Sequence, residues 1–200
     1  MDEASASHQD DPAIRAAYEQ YGVRGFYERF GATYRNPHEP AVRAAIGQAV
    51  ERWRIRLDRV LDLACGSGEA TLALWDLGCG AIDAIDPYTH AAYAARTGRA
   101  AERLTFEQIA AGALAGRWYS AIVCSFALHL VEPSRLPALA VQLSLAGASL
   151  LVLTPHKRPT IRPAWGWSPQ GELVSGRVRT RFYRSAHARA EVEQERQWDQ

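Results

Sequence analysis

The chain has 200 residues, 48% of them apolar, and 23 Lys plus Arg against 22 Asp plus Glu give a formal net charge of +1. This length suits one domain whose core needs no disulfide or metal support, and the balanced charge lacks the basic face of a nucleic-acid binder. Cys65, Cys79 and Cys124 show no paired spacing, so no disulfide framework or metal site is expected. No stretch has the apolar length of a membrane span or the apolar core of a signal peptide, so the expected setting is reducing and cytoplasmic. Lys157 is the only lysine in the chain.

Residues 1–10 are polar and acidic and are expected to be disordered. Asp11-Pro12 supplies an N-cap and a first-turn proline for a helix whose apolar face runs through Ile14, Ala17, Tyr18 and Tyr21 and stops at Gly22. The next stretch, from Gly25 to Pro40, is rich in aromatics, Gly and Pro and reads as irregular or short-helical. Pro40 opens a second helix with Val42, Ile46, Val50 and Trp53 at buried spacing.

An alternation then begins. Val60–Cys65 reads as a buried strand, Glu69–Leu77 as a helix, Ala81–Asp86 as a strand and His90–Ala101 as a helix. Leu104–Phe106 is expected as a short strand, Ala121–Ser125 as a stronger one, Pro133–Leu145 as a helix and Ser149–Thr154 as a strand. Strands alternating with helices at this spacing predict a three-layer, doubly wound, mostly parallel α/β sheet. Arg158 to Gly171 reads as a loop, Leu173 to Ser185 as a closing antiparallel strand or hairpin, and 186–200 as a loose helical tail. No linker interrupts the chain, so 11–200 is expected to be one domain, with a helical lid segment at 11–57 and the core at 58–185.

The densest signal is Val60 to Thr71, VLDLACGSGEAT. A buried strand delivers Asp62 and runs into a turn containing Gly66 and Gly68, where the absence of Cβ atoms lets a ligand approach the backbone. The next strand ends in Asp86, eighteen positions after Gly68, where a carboxylate can accept hydrogen bonds from ribose hydroxyls. A dinucleotide-binding turn would carry a third glycine near Ala70 or Thr71, and none is present.

These residues resemble the class I S-adenosylmethionine-dependent methyltransferases, whose first motif is a strand, an acid and a Gly-x-Gly turn. The resemblance runs from about Val60 to Thr154, with Ala64 where the family often has a first glycine. It implies S-adenosylmethionine as cofactor. The methionine part would lie on Asp62, Ala64, Cys65, Gly66 and Gly68, and the ribose on Asp86 beside Pro87. Glu107 would face the adenine amino group, and Ser125 and Phe126 would lie beside the methyl group. Methyl transfer to oxygen or nitrogen then needs an acceptor-side base. His129, after the fourth strand, and His156, after the fifth, stand where one is needed, although each is equally suited to a structural hydrogen-bonding role. Tyr27, Tyr34, Arg35, Asn36 and His38 offer more polar groups than a packing segment needs, and are expected to form a lid contacting cofactor or acceptor. The Asn/Asp-Pro-Pro-Tyr tetrad of enzymes that methylate amino groups of bases or glutamines is absent, and Ser125-Phe126-Ala127-Leu128 stands in its place. A small-molecule acceptor is therefore expected, with no nucleic acid, membrane or metal. The oligomeric state is left open. A protein that binds the cofactor without transferring methyl is the alternative.

Overall fold

Residues 20–22, 25–33 and 35–188 are described by a computed structural model of the chain. Most of the helix expected from Asp11, the tail beyond residue 188 and Tyr34 lie outside the described residues.

Short apolar runs become strands because both faces of the sheet are covered. β1 (Val60–Leu63), β3 (Ala121–Ser125) and β4 (Ser149–Thr154) are buried almost throughout, and β2 (Ile82–Ile85) lies beside β1. Side chains alternate between two cores. Leu61, Leu63, Ile122 and Leu150 face one, with Leu139 and Leu143 of α5 (Leu136–Ala146). Val60, Val123, Leu151 and Leu153 face the other, with Val42 and Ile46 of α1 (Glu39–Trp53) and Leu74 of α2 (Glu69–Asp76). Each core is continuous and apolar, which is why these strands read as unbroken apolar runs.

The sheet order is β2-β1-β3-β4-β6-β5. β1 pairs in parallel with β2 and β3, and β3 with β4, while β6 (Val178–Ser185) is antiparallel to β4 and to β5 (Trp167–Ser175). This is the doubly wound, mostly parallel architecture read from the sequence, closed by an antiparallel hairpin.

Two expectations are corrected. Leu104–Phe106 is not a strand. Pairing beyond β2 shrinks to one parallel bridge between Ile85 and Glu102, and Phe106 already opens α4 (Phe106–Ala110). Thr105 caps α4, accepting from the Gln108 backbone N–H while the Gln108 side chain accepts from the Thr105 N–H, a reciprocal pair that outcompetes extension. The stretch read as a loop up to Gly171 contains the first half of β5. Pro169 and Gly171 are tolerated because β5 is an edge strand with an irregularity between them. Trp167 anchors its start, buried and donating its indole N–H to Ala140 O at 2.8 Å.

Candidate active site

A cleft of about 1060 Å³ opens at the carboxyl ends of β1, β2 and β3. The chain leaves β1 through a turn in which Ala64, Gly66 and Gly68 all have positive φ, at 56°, 57° and 94°. Gly68 is required twice over. Its φ is left-handed, and a Cβ there would stand 2.7 Å from Thr97 Cγ2 and 3.3 Å from the Tyr93 ring, both on α3 (His90–Thr97).

Asp62 lies fully buried beneath this turn. Its Oδ2 accepts from Thr71 N–H at 3.0 Å and Thr71 Oγ1 at 2.6 Å, while Oδ1 has no partner. Burial raises its pKa to about 7, against the lowering from Thr71 and with a further rise from nearby Glu69. Burial also pushes the Cys65 thiol well above its usual range, so it stays protonated. Asp86 joins the first turn to the second. Its Oδ2 accepts from Gly66 N–H at 3.2 Å, and its Oδ1 from Tyr88 and Thr89 N–H at 2.8 Å each. Three of roughly four acceptor positions are thus used, leaving one on Oδ2 for a ligand hydroxyl. Pro87 and Tyr88 continue the wall.

The segment ahead of α1 docks onto these turns. Asn36 N–H donates to Glu69 Oε1 at 3.1 Å, and the Ser67 hydroxyl donates to the same oxygen. Arg96 bridges Glu69 and Glu39, which ties α1, α2 and α3 together. Tyr27 stacks on Tyr88 at 6.3 Å, and Gly31 lies so close that a Cβ would stand 2.7 Å from Tyr88 O. Tyr27 and Asn36 line the cleft. His38 does not, but it stacks on Phe126, which does, at 5.3 Å. Arg35 is exposed at a separate small recess beside Arg96.

At the far end, Leu104, Phe106, Leu130 and Val131 form an apolar wall that the sequence reading missed. Glu107 lines this end and pairs with Arg135 at 2.7 Å. Its own backbone N–H, the Thr105 hydroxyl and Arg135 hold its carboxyl below the usual range. Arg135 was also missed. The Thr105-x-x-Gln108 spacing was the signal that fixes this corner. Ser125 lines the cleft with a buried hydroxyl that has no partner.

His129 sits in the helical turn Leu128–Leu130 after β3, and His156 just after β4. Their rings meet at 4.8 Å, edge to face. Neither is among the residues that line the cleft. His129 Nδ1 is buried without a partner, and burial, with His156 adding to it, pushes its pKa down to about 4. His156 is exposed. Among the described residues there is no metal-binding cluster of His, Cys, Asp or Glu, and no helix long and apolar enough to cross a membrane.

Buried polar groups are nearly always hydrogen-bonded. The free Asp62 Oδ1 and Ser125 hydroxyl, both in the cleft wall, are therefore positions for ligand donors and acceptors. An ammonium suits the first, and the open position on Asp86 suits a ribose hydroxyl. The chain's residues thus fit the cofactor that the motif resemblance implies.

Residues 60–144 match a family model described as a methyltransferase domain. An uncharacterized protein of Schizosaccharomyces pombe is 34% identical over 228 aligned residues, covering 86% of this chain and 92% of that one. Magnesium protoporphyrin IX methyltransferase from Synechocystis PCC 6803, solved with S-adenosylmethionine bound, aligns with a TM-score of 0.54 at 16% identity, over 90% of this chain and 98% of its own. An O-methyltransferase family protein from Burkholderia thailandensis aligns with a TM-score of 0.61 at 16% identity, over 87% of this chain and 62% of its own. At such identities the solved structures show a shared fold.

Proposed function

Because residues 60–144 match a methyltransferase-domain model and the chain has the fold of S-adenosylmethionine-dependent methyltransferases, we propose that it is a class I S-adenosylmethionine-dependent methyltransferase and transfers the methyl group to an oxygen or nitrogen atom of a small-molecule acceptor. The observation that carries this reading is the cleft at the strand ends, with an unpaired buried carboxylate oxygen at one end and an apolar wall at the other. Its size and largely apolar lining are those of small-molecule sites. The absence of the Asn/Asp-Pro-Pro-Tyr tetrad supports the same acceptor class. Three buried free cysteines accord with a reducing, cytoplasmic setting.

The cofactor supplies a methyl group on a sulfonium, already activated for transfer, so the protein has to hold, orient and keep water out. Asp62 Oδ1 holds the ammonium of the methionine part, and Asp86 takes a ribose hydroxyl. The walls around Leu104, Phe106 and Leu130 enclose the base. Tyr27 and Asn36 close the site from the lid, and the stack of His38 on Phe126 covers its edge. His129, neutral at physiological pH, is too weak a base to strip a hydroxyl alone. Its unpartnered Nδ1 suits accepting a hydrogen bond from the acceptor O–H or N–H when acceptor binding brings the two together, with the His156 ring packed against it, and the released proton goes to solvent.

The test is to incubate the full chain with S-adenosylmethionine and, separately, with metabolite, protein and RNA fractions, and to measure S-adenosylhomocysteine. Product with the metabolite fraction is expected, and the H129A and H156A variants should then lower single-turnover rates by about 100-fold with cofactor affinity unchanged. Product only with protein or RNA overturns the acceptor class. Cofactor uptake with no product from any fraction would instead favour a protein that binds S-adenosylmethionine without transferring its methyl group.

A further inference from the structure

Arg181 lies on β6, remote in sequence from every residue assigned above, and its guanidinium is buried. Nη1 donates to Pro159 O at 2.6 Å and Nη2 to Lys157 O at 2.7 Å. Nε donates to Glu172 Oε2 on β5 at 2.6 Å, and Glu172 in turn accepts from Arg179 at 2.8 Å. Burying a guanidinium is unfavourable unless its donors are matched, and here the planar fork is matched to two carbonyls of one short loop and one carboxylate. That loop follows β4 at the ligand-binding end of the sheet. Its first residues are held a second time. Thr154 Oγ1 accepts from His156 N–H at 3.2 Å and donates to Arg158 O at 3.5 Å.

A plain surface connection is ordinarily mobile and needs no buried charge to fix it. What this one presents is His156, whose ring rests against His129. We propose that Arg181 is a positioning residue: by gripping the carbonyls of Lys157 and Pro159 it fixes the loop after β4 so that His156 stays against His129. The functional meaning of this grip rests on the reading of the two histidines given above, whereas the grip itself does not. A lysine cannot replace the arginine, because one ammonium cannot reach three acceptors in the fork geometry.

The experiment follows the histidine rings of the full chain by NMR in the wild type, R181M, R181K and H156A. The wild type should show a through-space contact between the His129 and His156 rings and a ring-current displacement of the His129 resonances. R181M should lose both and match the His129 spectrum of H156A, and R181K should show partial loss. Calorimetric affinity for S-adenosylhomocysteine should stay within about twofold in every variant, because Arg181 and the cleft share no partner. R181M is expected to fold, since Glu172 keeps Arg179. If it does not, R181K decides. A full ring contact in whichever of the two folds overturns the proposal. Once turnover is measured, R181M should lower kcat as H156A does and leave KM for the cofactor unchanged. Lost contact in R181M with unchanged turnover in H156A would uphold the grip and sink the histidine reading.

Discussion

The turn after β1 and the loop after β4 lie at the same end of one sheet and are held by different means. The first is fixed by its own chemistry. Left-handed residues set its path, Asp62 and Asp86 collect its backbone N–H groups, and α3 packs against Gly68. The second is fixed from outside, by Arg181 reaching across from the closing hairpin. The difference separates a floor built to bind one invariant cofactor from a rim that can be re-aimed by changing a remote strand.

The sharpest way to break the contrast is D86A. It removes the acceptor of three backbone N–H groups and the open ribose position, so cofactor binding should weaken by about 100-fold or more. Calorimetry with S-adenosylhomocysteine reads this, and a change below fivefold would mean that the floor does not depend on Asp86. Next comes Asp62, whose folded pKa of about 7 lies above its unfolded value of 3.8. The folded state therefore holds the proton more tightly than the unfolded one. In the cofactor-free protein this favours folding at low pH, and the advantage is lost as pH rises toward 7. Binding runs the other way. An ammonium prefers the ionised carboxylate, so affinity should fall toward about tenfold per pH unit below pH 7. D62N should flatten that profile and raise the melting temperature of the cofactor-free protein more at pH 7.5 than at pH 5.

Two smaller effects sharpen the picture. G31A places a Cβ against Tyr88 O, so the lid should lift from the second turn. Cofactor affinity should drop by about fivefold, and hydrogen exchange over residues 25–38 should rise. A64G relieves a left-handed alanine at a φ of 56° and should stabilise the chain by about 1 kcal/mol. That corresponds to a melting temperature about 2–4 °C higher for a chain of this size.

Legibility in the sequence follows the same division. β1, β2 and β4 and the glycine turn were readable because each is a local event, an apolar run and then Gly or Pro, while β3 was readable from its apolar run alone. Asp62 and Asp86 were readable because strand position alone carries a carboxylate to the cleft. The capped start of α4 was written in Thr105 and Gln108, but was outweighed by the apolar Leu104 and Phe106. The start of β5 was hidden because Pro169 and Gly171 argue against a strand until it is known to be an edge. The ties of Asn36 to Glu69 and of Arg181 to Lys157 join residues 33 and 24 positions apart, and no local pattern announces them.

Lys157, whose backbone carbonyl Arg181 grips, carries the one side-chain amine of the chain. An amine-directed fluorophore would therefore label only this spot and the N-terminal amine. The dye would sit next to His156, and its polarity response during acceptor screening would give an optical signal of occupancy at the rim without engineering a single cysteine.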